Sequence, residues 1–215
     1  MNDTIDIYCE RLDAGLWAEP MNAVTNAAFF IAALCAYLLA KKENALNGRV
    51  VLLILFILII GTGSTLFHTF ATGWAQLSDV LPILFYQIAF IVFYANRVIG
   101  LNALKTALLF ALFIVTIIGF AQLPEAWLNG SLGYAPALLF VIGLGSWHIG
   151  HAGRERYGLI TAGGVFTVSL ALRSIDMQIC ESFPIGTHFL WHILNGCVLY
   201  LTTRAYILNI SPSKR

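Results

Sequence analysis

Five polar side chains stand inside otherwise apolar stretches of this sequence. Ser64, His68 and Asp79 lie in GTGSTLFHTFATGWAQLSDVLP, from Gly61 to Pro82, while His188 and His192 lie in THFLWH. Two histidines four residues apart share one helix face and can reach a single ion. His68 supplies a third imidazole. Three neutral imidazoles with one open position are a known catalytic zinc arrangement, and zinc lowers the pKa of its water to about 7. A carboxylate such as Asp79 can then move protons toward a leaving amine. The Ser64 hydroxyl, one turn before His68, can donate to a developing oxyanion. Plainer readings stand beside these. Histidines at a helix mouth bond to headgroups or carbonyls, a buried serine bonds back to its own helix, and an aspartate can cap the helix it opens.

The elements that carry these groups are of one kind. The chain has 215 residues, of which 59% are hydrophobic and 11% charged, with a mean hydropathy of +0.81. Soluble domains carry about 25% charged residues, so the composition is that of an integral membrane protein. In that setting an ionisable residue at membrane depth marks a functional site by default. No basic arm interleaved with aromatics suggests nucleic acid, and no protein partner is evident. The first 20 residues are polar and acidic without a basic n-region, so no cleavable signal peptide is expected and the first apolar segment is a retained helix.

Seven apolar segments follow the leader, near 22–40, 50–70, 78–96, 101–121, 133–150, 157–173 and 186–208. Each approaches the roughly 20 residues a helix needs to span the hydrocarbon core. The breaks between them are short and polar or turn-forming, among them KKENALNGR, ATGWAQ and the longer SIDMQICESFPIGT. The expectation is an all-α, polytopic seven-transmembrane helix bundle forming one domain over 1–215. Under this topology Lys41, Lys42, Arg49, Arg97, Lys105, Arg154, Arg156, Arg204, Lys214 and Arg215 lie on one side, and only Arg11 and Arg173 on the other. By the positive-inside rule the C-terminus is cytoplasmic and the acidic leader, 1–20 with Asp3, Asp6, Glu10, Asp13 and Glu19, is outside. The helix directions then bring Ser64, His68, Asp79, His188 and His192 to the same, non-cytoplasmic end. That coincidence of depth favours a shared site over the plainer readings.

Ser64-x-x-x-His68, Asp79 within QLSDVLP, and His188-x-x-x-His192 resemble the alkaline ceramidase family, part of a superfamily of seven-helix hydrolases that includes adiponectin-receptor-like proteins. The leader agrees, since YCE at Tyr8–Glu10 and AEPMNAVTN at Ala18–Asn26 are similar to that family's WCE…AEFWN-x-x-SN pattern. The resemblance implies a zinc-dependent amidase that cleaves the N-acyl bond of a ceramide to a fatty acid and a sphingoid base. It carries the zinc ligands onto His68, His188 and His192, and the catalytic pair onto Ser64 and Asp79. It also implies calcium in the leader, with Glu10 and Glu19 matching two ligands. Asp6 and Asp13 are candidates for the others. Here the pattern departs: Ile7 stands where the family has Asp, and the Glu10-to-Glu19 spacing is two residues shorter. A merely solvated acidic leader is the alternative.

Of four cysteines, Cys35 and Cys197 lie inside apolar segments and read as small hydrophobes. Cys9 and Cys180 fall in outside segments, where an oxidising compartment lets them pair, and the resemblance implies a bridged leader cysteine. His148 and His151 in WHIGH lie at the cytoplasmic end and read, with Trp147, as interfacial residues. Trp17, Trp74 and Trp127 read as an aromatic belt at the outer boundary. Two functions compete. The first is an intramembrane zinc amidohydrolase acting on a ceramide-like lipid. The second is a seven-helix lipid sensor or receptor with a structural metal. The short cytoplasmic loops, which leave little surface for signalling partners, favour the enzyme. A transporter would show inverted repeats and broken helices, and neither is seen.

Overall fold

In lipid every backbone polar group must be satisfied internally, which leaves helices or a closed barrel. The computed structural model describes residues 4–124, 126–151 and 153–210, and among them there is helix and no strand. Asp3, Lys214 and Arg215, used in the charge reading, lie outside these residues. Seven long helices follow in order. Helix α1 is Pro20–Lys42, continuous through Asn26 in helical backbone. Next come α2 (Gly48–Phe70) and α3 (Gly73–Tyr94), the latter prolonged by a π-helical turn over Ala95–Ile99. Then come α4 (Ala103–Phe120), α5 (Ala135–His151, entered through a 3₁₀ segment at Trp127–Tyr134), α6 (Gly158–Ile175) and α7 (His188–Ile210).

Helices α1 to α6, with their extensions, are long and apolar enough to cross a membrane. Helix α7 matches α2 at 23 residues, but His188, His192, Asn195 and Arg204 dilute its apolar character. Six bounds fall within a few residues of the sequence expectation. The exception is α3, which begins at Gly73 and not near 78. Ala71 in the left-handed region (φ 46) closes α2, and Thr72 in extended backbone opens α3, so two residues make the whole connection. Asp79 therefore lies nearly two turns inside α3, and the helix-capping reading of that residue does not hold.

Helix α2 packs along α3, α1 along α2 and α7, and α6 between α5 and α7, with α4 at the periphery. Leu53, Ile57 and Ile60 of α2, Phe90 and Tyr94 of α3, and Tyr206 and Ile207 of α7 build the common core. The outward faces are apolar as well: Leu34 and Leu38 of α1, Leu52 and Leu55 of α2, and Leu108 and Leu112 of α4 are all exposed. An apolar surface on this scale suits acyl chains and not water. At the end away from the histidines Arg154 bonds Glu43 at 2.5 Å, and Arg204 bonds Glu155. His148 departs from the interfacial reading. It is fully buried, bonded to the Tyr94 hydroxyl on one ring nitrogen and to the Glu155 carbonyl on the other. His151 is exposed and stacked on Trp147, as an interfacial residue would be.

The contact between α2 and α3 rests on a matched pair of exceptions. Pro82 sits inside α3, and lacking an N–H it leaves the carbonyl of Ser78 without its helical partner. That carbonyl faces Gly63 of α2 so closely that a Cβ there would lie 1.9 Å from it. Only a residue without a side chain admits this approach. It holds the Ser64 turn of α2 against the Asp79 turn of α3. Gly63→Ala is therefore expected to cost about 1–3 kcal/mol by overpacking against backbone. Gly164→Ala, in α6 with nothing within 4 Å of its Cβ position, is expected to be neutral or slightly stabilising. Thermal unfolding of both in detergent checks the contrast, and equal melting points would remove the close contact.

Candidate metal centre

The polar end of the bundle is closed by the leader, and two carboxylates hold it there. Asp176, fully buried just after α6, accepts from the backbone N–H of Cys9 at 3.1 Å through Oδ2. Its Oδ1 accepts from the N–H groups of Thr187 at 2.6 Å and His188 at 2.9 Å. Those two donors belong to the first turn of α7 and would otherwise be orphaned, so Asp176 fixes where α7 starts. Gly186 must come this close: its φ is +67, and a Cβ there would lie 2.2 Å from Asp176 Oδ1. Beside it Cys9 and Cys180 form a disulfide with Cα atoms 5.3 Å apart. The leader is joined to α2 as well, through Ile5 N–H donating to the Ala71 carbonyl at 2.7 Å.

Beneath this cover His68, His188 and His192 meet. All three are buried to 2% exposure or less. His68 Nδ1 bonds Glu19 Oε2 at 2.5 Å; a carboxylate accepts, so Nδ1 carries the proton and Nε2 keeps its lone pair. Thr25 Oγ1 donates to the Met21 carbonyl at 2.7 Å and lies 3.0 Å from His192 Nδ1. Its one proton being spent on the carbonyl, it accepts from His192 Nδ1–H, which frees the His192 Nε2 lone pair. His188 is clamped by stacking on Tyr8, with centroids 3.6 Å apart and planes 22° from parallel. Three ring nitrogens thus remain without any partner: His68 Nε2, His188 Nδ1 and His192 Nε2. One buried polar atom left unpaired costs about 1–3 kcal/mol. The three residues also bring one ligand atom each within 4.8 Å of the others, so together they could hold a metal ion.

Ser64 and Asp79 lie beside this cluster. Thr62, Thr65 and Thr69 of α2 all bond back to the carbonyl four residues earlier, the fate that the plain reading gave Ser64. Ser64 instead is the side-chain partner of Asp79 across the α2–α3 contact. Both line a cleft whose other walls include Phe29, Ile83, Phe90, Val141 and Phe166. Its lining is mostly apolar, with Gln87, Asn195 and Thr202 as further polar members.

The four leader carboxylates are not gathered round one point. Glu10 accepts from the N–H groups of Met21 at 2.6 Å and Asn22 at 2.8 Å, closing the start of α1. Burial pushes its carboxyl up, against those two donors. Glu19 accepts from Arg11, Asn22 and His68. Burial pushes its carboxyl up too, but the His68, Asn22 and Arg11 contacts outweigh this and hold it below the usual range. Asp6 and Asp13 are exposed. Sequence reasoning missed Arg11, Thr25 and Asp176. For Thr25 and Asp176 no local signal exists, since their partners lie up to 167 residues away. Arg11 and Arg173 did carry a signal, as the two cations at the acidic end. Both are buried: Arg11 bonds Glu19, and Arg173 sits between the Tyr134 and Trp191 rings and donates to Asn129 O at 2.6 Å.

A search of curated proteins gives no match. The family model of the ceramidases matches residues 8–211, nearly the whole chain. Purified protein is expected to hold one transition-metal ion per three-histidine cluster, and His188→Ala to lose it. Thr25→Val, which removes the acceptor of His192 Nδ1–H, is expected to weaken metal affinity about 10–100-fold. Elemental analysis and chelator competition check both, and metal content unchanged in His188→Ala would exclude the cluster as the site.

Proposed function

The chain belongs to the ceramidase family, and from that premise we propose that it is an intramembrane zinc-dependent amidohydrolase. Its substrate is ceramide or a ceramide-like lipid, cleaved at the N-acyl amide bond to a free fatty acid and a sphingoid base. The observation that carries this reading is the set of three unpartnered imidazole nitrogens near the Ser64–Asp79 pair, which lines a mostly apolar cleft. His68, His188 and His192 would hold the zinc. When bound, zinc makes water a nucleophile at neutral pH and polarises an acyl oxygen.

The chain's own groups supply the rest. The apolar cleft takes hydrocarbon and excludes water, which fixes the amide at the polar end. Asp79 takes a proton from the attacking water and passes it to the departing amine nitrogen, so that amide and water give acid and amine with protons balanced. Ser64, released from Asp79 as that carboxylate turns to the water, donates to the acyl oxygen as its charge grows. The distribution of basic residues supports an active site toward the non-cytoplasmic end, with the C-terminus in the cytoplasm.

Asp79→Asn keeps the shape and removes the base. It is expected to lower amide hydrolysis by about 10²–10⁴-fold while metal content and helical circular dichroism stay as in the wild type. His192→Ala should abolish turnover together with metal. The assay is release of sphingoid base from ceramide, and of amine from other N-acyl lipids, in mixed micelles. Turnover retained in both purified variants would overturn the mechanism, whereas a wild type that holds metal and cleaves none of these lipids would leave a sensor with a structural metal as the better reading.

A further inference from the structure

The leader's carboxylates were expected to hold calcium, and they do not fit that ion. Glu10 is turned to the start of α1, Asp6 and Asp13 are exposed, and Asp13 Oδ1 is taken by the N–H of Gly15 at 2.6 Å. What stands among the leader's oxygens is a guanidinium. Arg11 Nε donates to Glu19 Oε1 at 2.5 Å, Nη1 to the carbonyl oxygens of Asp13 at 3.1 Å and Gly15 at 3.5 Å, and Nη2 to the His68 carbonyl at 3.2 Å. The side chain is 1% exposed. One carboxylate and three main-chain carbonyls are the donor types that a calcium loop uses, here assembled on a guanidinium.

We propose that Arg11 is a built-in cation that gathers the leader's oxygens in place of a divalent ion, so that the leader closes over the histidines without calcium. A tethered guanidinium is present at unit occupancy whatever the medium contains, whereas a bound ion stabilises only in proportion to its concentration. Because Glu19 bridges Arg11 and His68, the same cation positions the carboxylate that orients the first metal ligand. Arg11 is thus a positioning residue. The inference concerns how the leader is held and not which bond is cleaved, so a catalytically silent protein gives the same answer.

The test uses the full chain in detergent with zinc kept saturating. Melting temperature is measured with a calcium-selective chelator and with ~10 mM calcium, a concentration that fills even the weak extracellular class of calcium sites. Calcium binding is measured beside it by equilibrium dialysis with radioactive calcium. The expected result is the same melting temperature in both media and no calcium retained. Arg11→Met strands a buried carboxylate and is expected to lower the melting temperature by ~5–10 °C and to open residues 4–19 to proteolysis, with Arg11→Lys recovering part of each. Stoichiometric calcium on the wild type, with a raised melting temperature, would overturn the proposal. So would an Arg11→Met protein that melts and resists protease like the wild type. If that variant does not fold, the wild-type calcium measurements decide alone.

Discussion

Glu19 and Asp176 are buried carboxylates with three donors each and no bulk water to replace any of them. Glu19 accepts from Arg11, Asn22 and His68, and Asp176 from the backbone of Cys9, Thr187 and His188. Taking a carboxylate out of water costs several kcal/mol unless its lone pairs are met, and charge-assisted hydrogen bonds of about 1.5–3 kcal/mol each meet them. The geometry is therefore over-determined. Each carboxylate ties the leader to a different histidine-bearing helix, so the imidazoles are held in place by the chain's own contacts. His192 is aimed from α1 alone, by the Thr25 hydroxyl and the Asn22 backbone.

The same logic of matched defects runs through the bundle. Pro82 frees one carbonyl and Gly63 leaves room for it, where a side chain would collide. The pair lets two backbones come close beside Ser64 and Asp79. Elsewhere Gly145 meets the backbone of Ile160, and Gly196 that of Ala28. Helices that gain nothing from expelling water between them in lipid rely on such close packing.

Much of this was legible in the sequence, and what was not has a common cause. Apolar run length placed six of seven helices within a few residues, because bilayer thickness sets that length. The i, i+4 spacing and common depth of the histidines picked out the cluster that the structure brings together. The start of α3 was misjudged because Gly73, Trp74 and Gln76 look like turn residues, while Ala71 and Thr72 suffice to turn the chain. His148 was misread since its partner, Tyr94, belongs to another helix. Asp176 meets Cys9 across 167 residues, a pairing of which local pattern carries no trace, whereas Arg11 showed as a cation at the acidic end but without its partners. Among the leader acids the pattern gave no hint that Glu19 takes up Arg11, eight residues before it.

The bridge between Cys9 and Cys180 spans 171 residues of sequence, and it sits between the first metal ligand's leader and the last two ligands' helix. A ribosome making this chain threads six helices into the bilayer before Cys180 exists, and His188 and His192 come later still. Throughout that time His68 has Glu19, made before it, but neither of the other two histidines. Sealing of the lid, capping of the last helix and the meeting of the three histidines all fall in the closing stretch of translation. Assembly of the polar end is in this sense a clock set by gene order, and an unfinished chain holds only one of the three histidines that meet there.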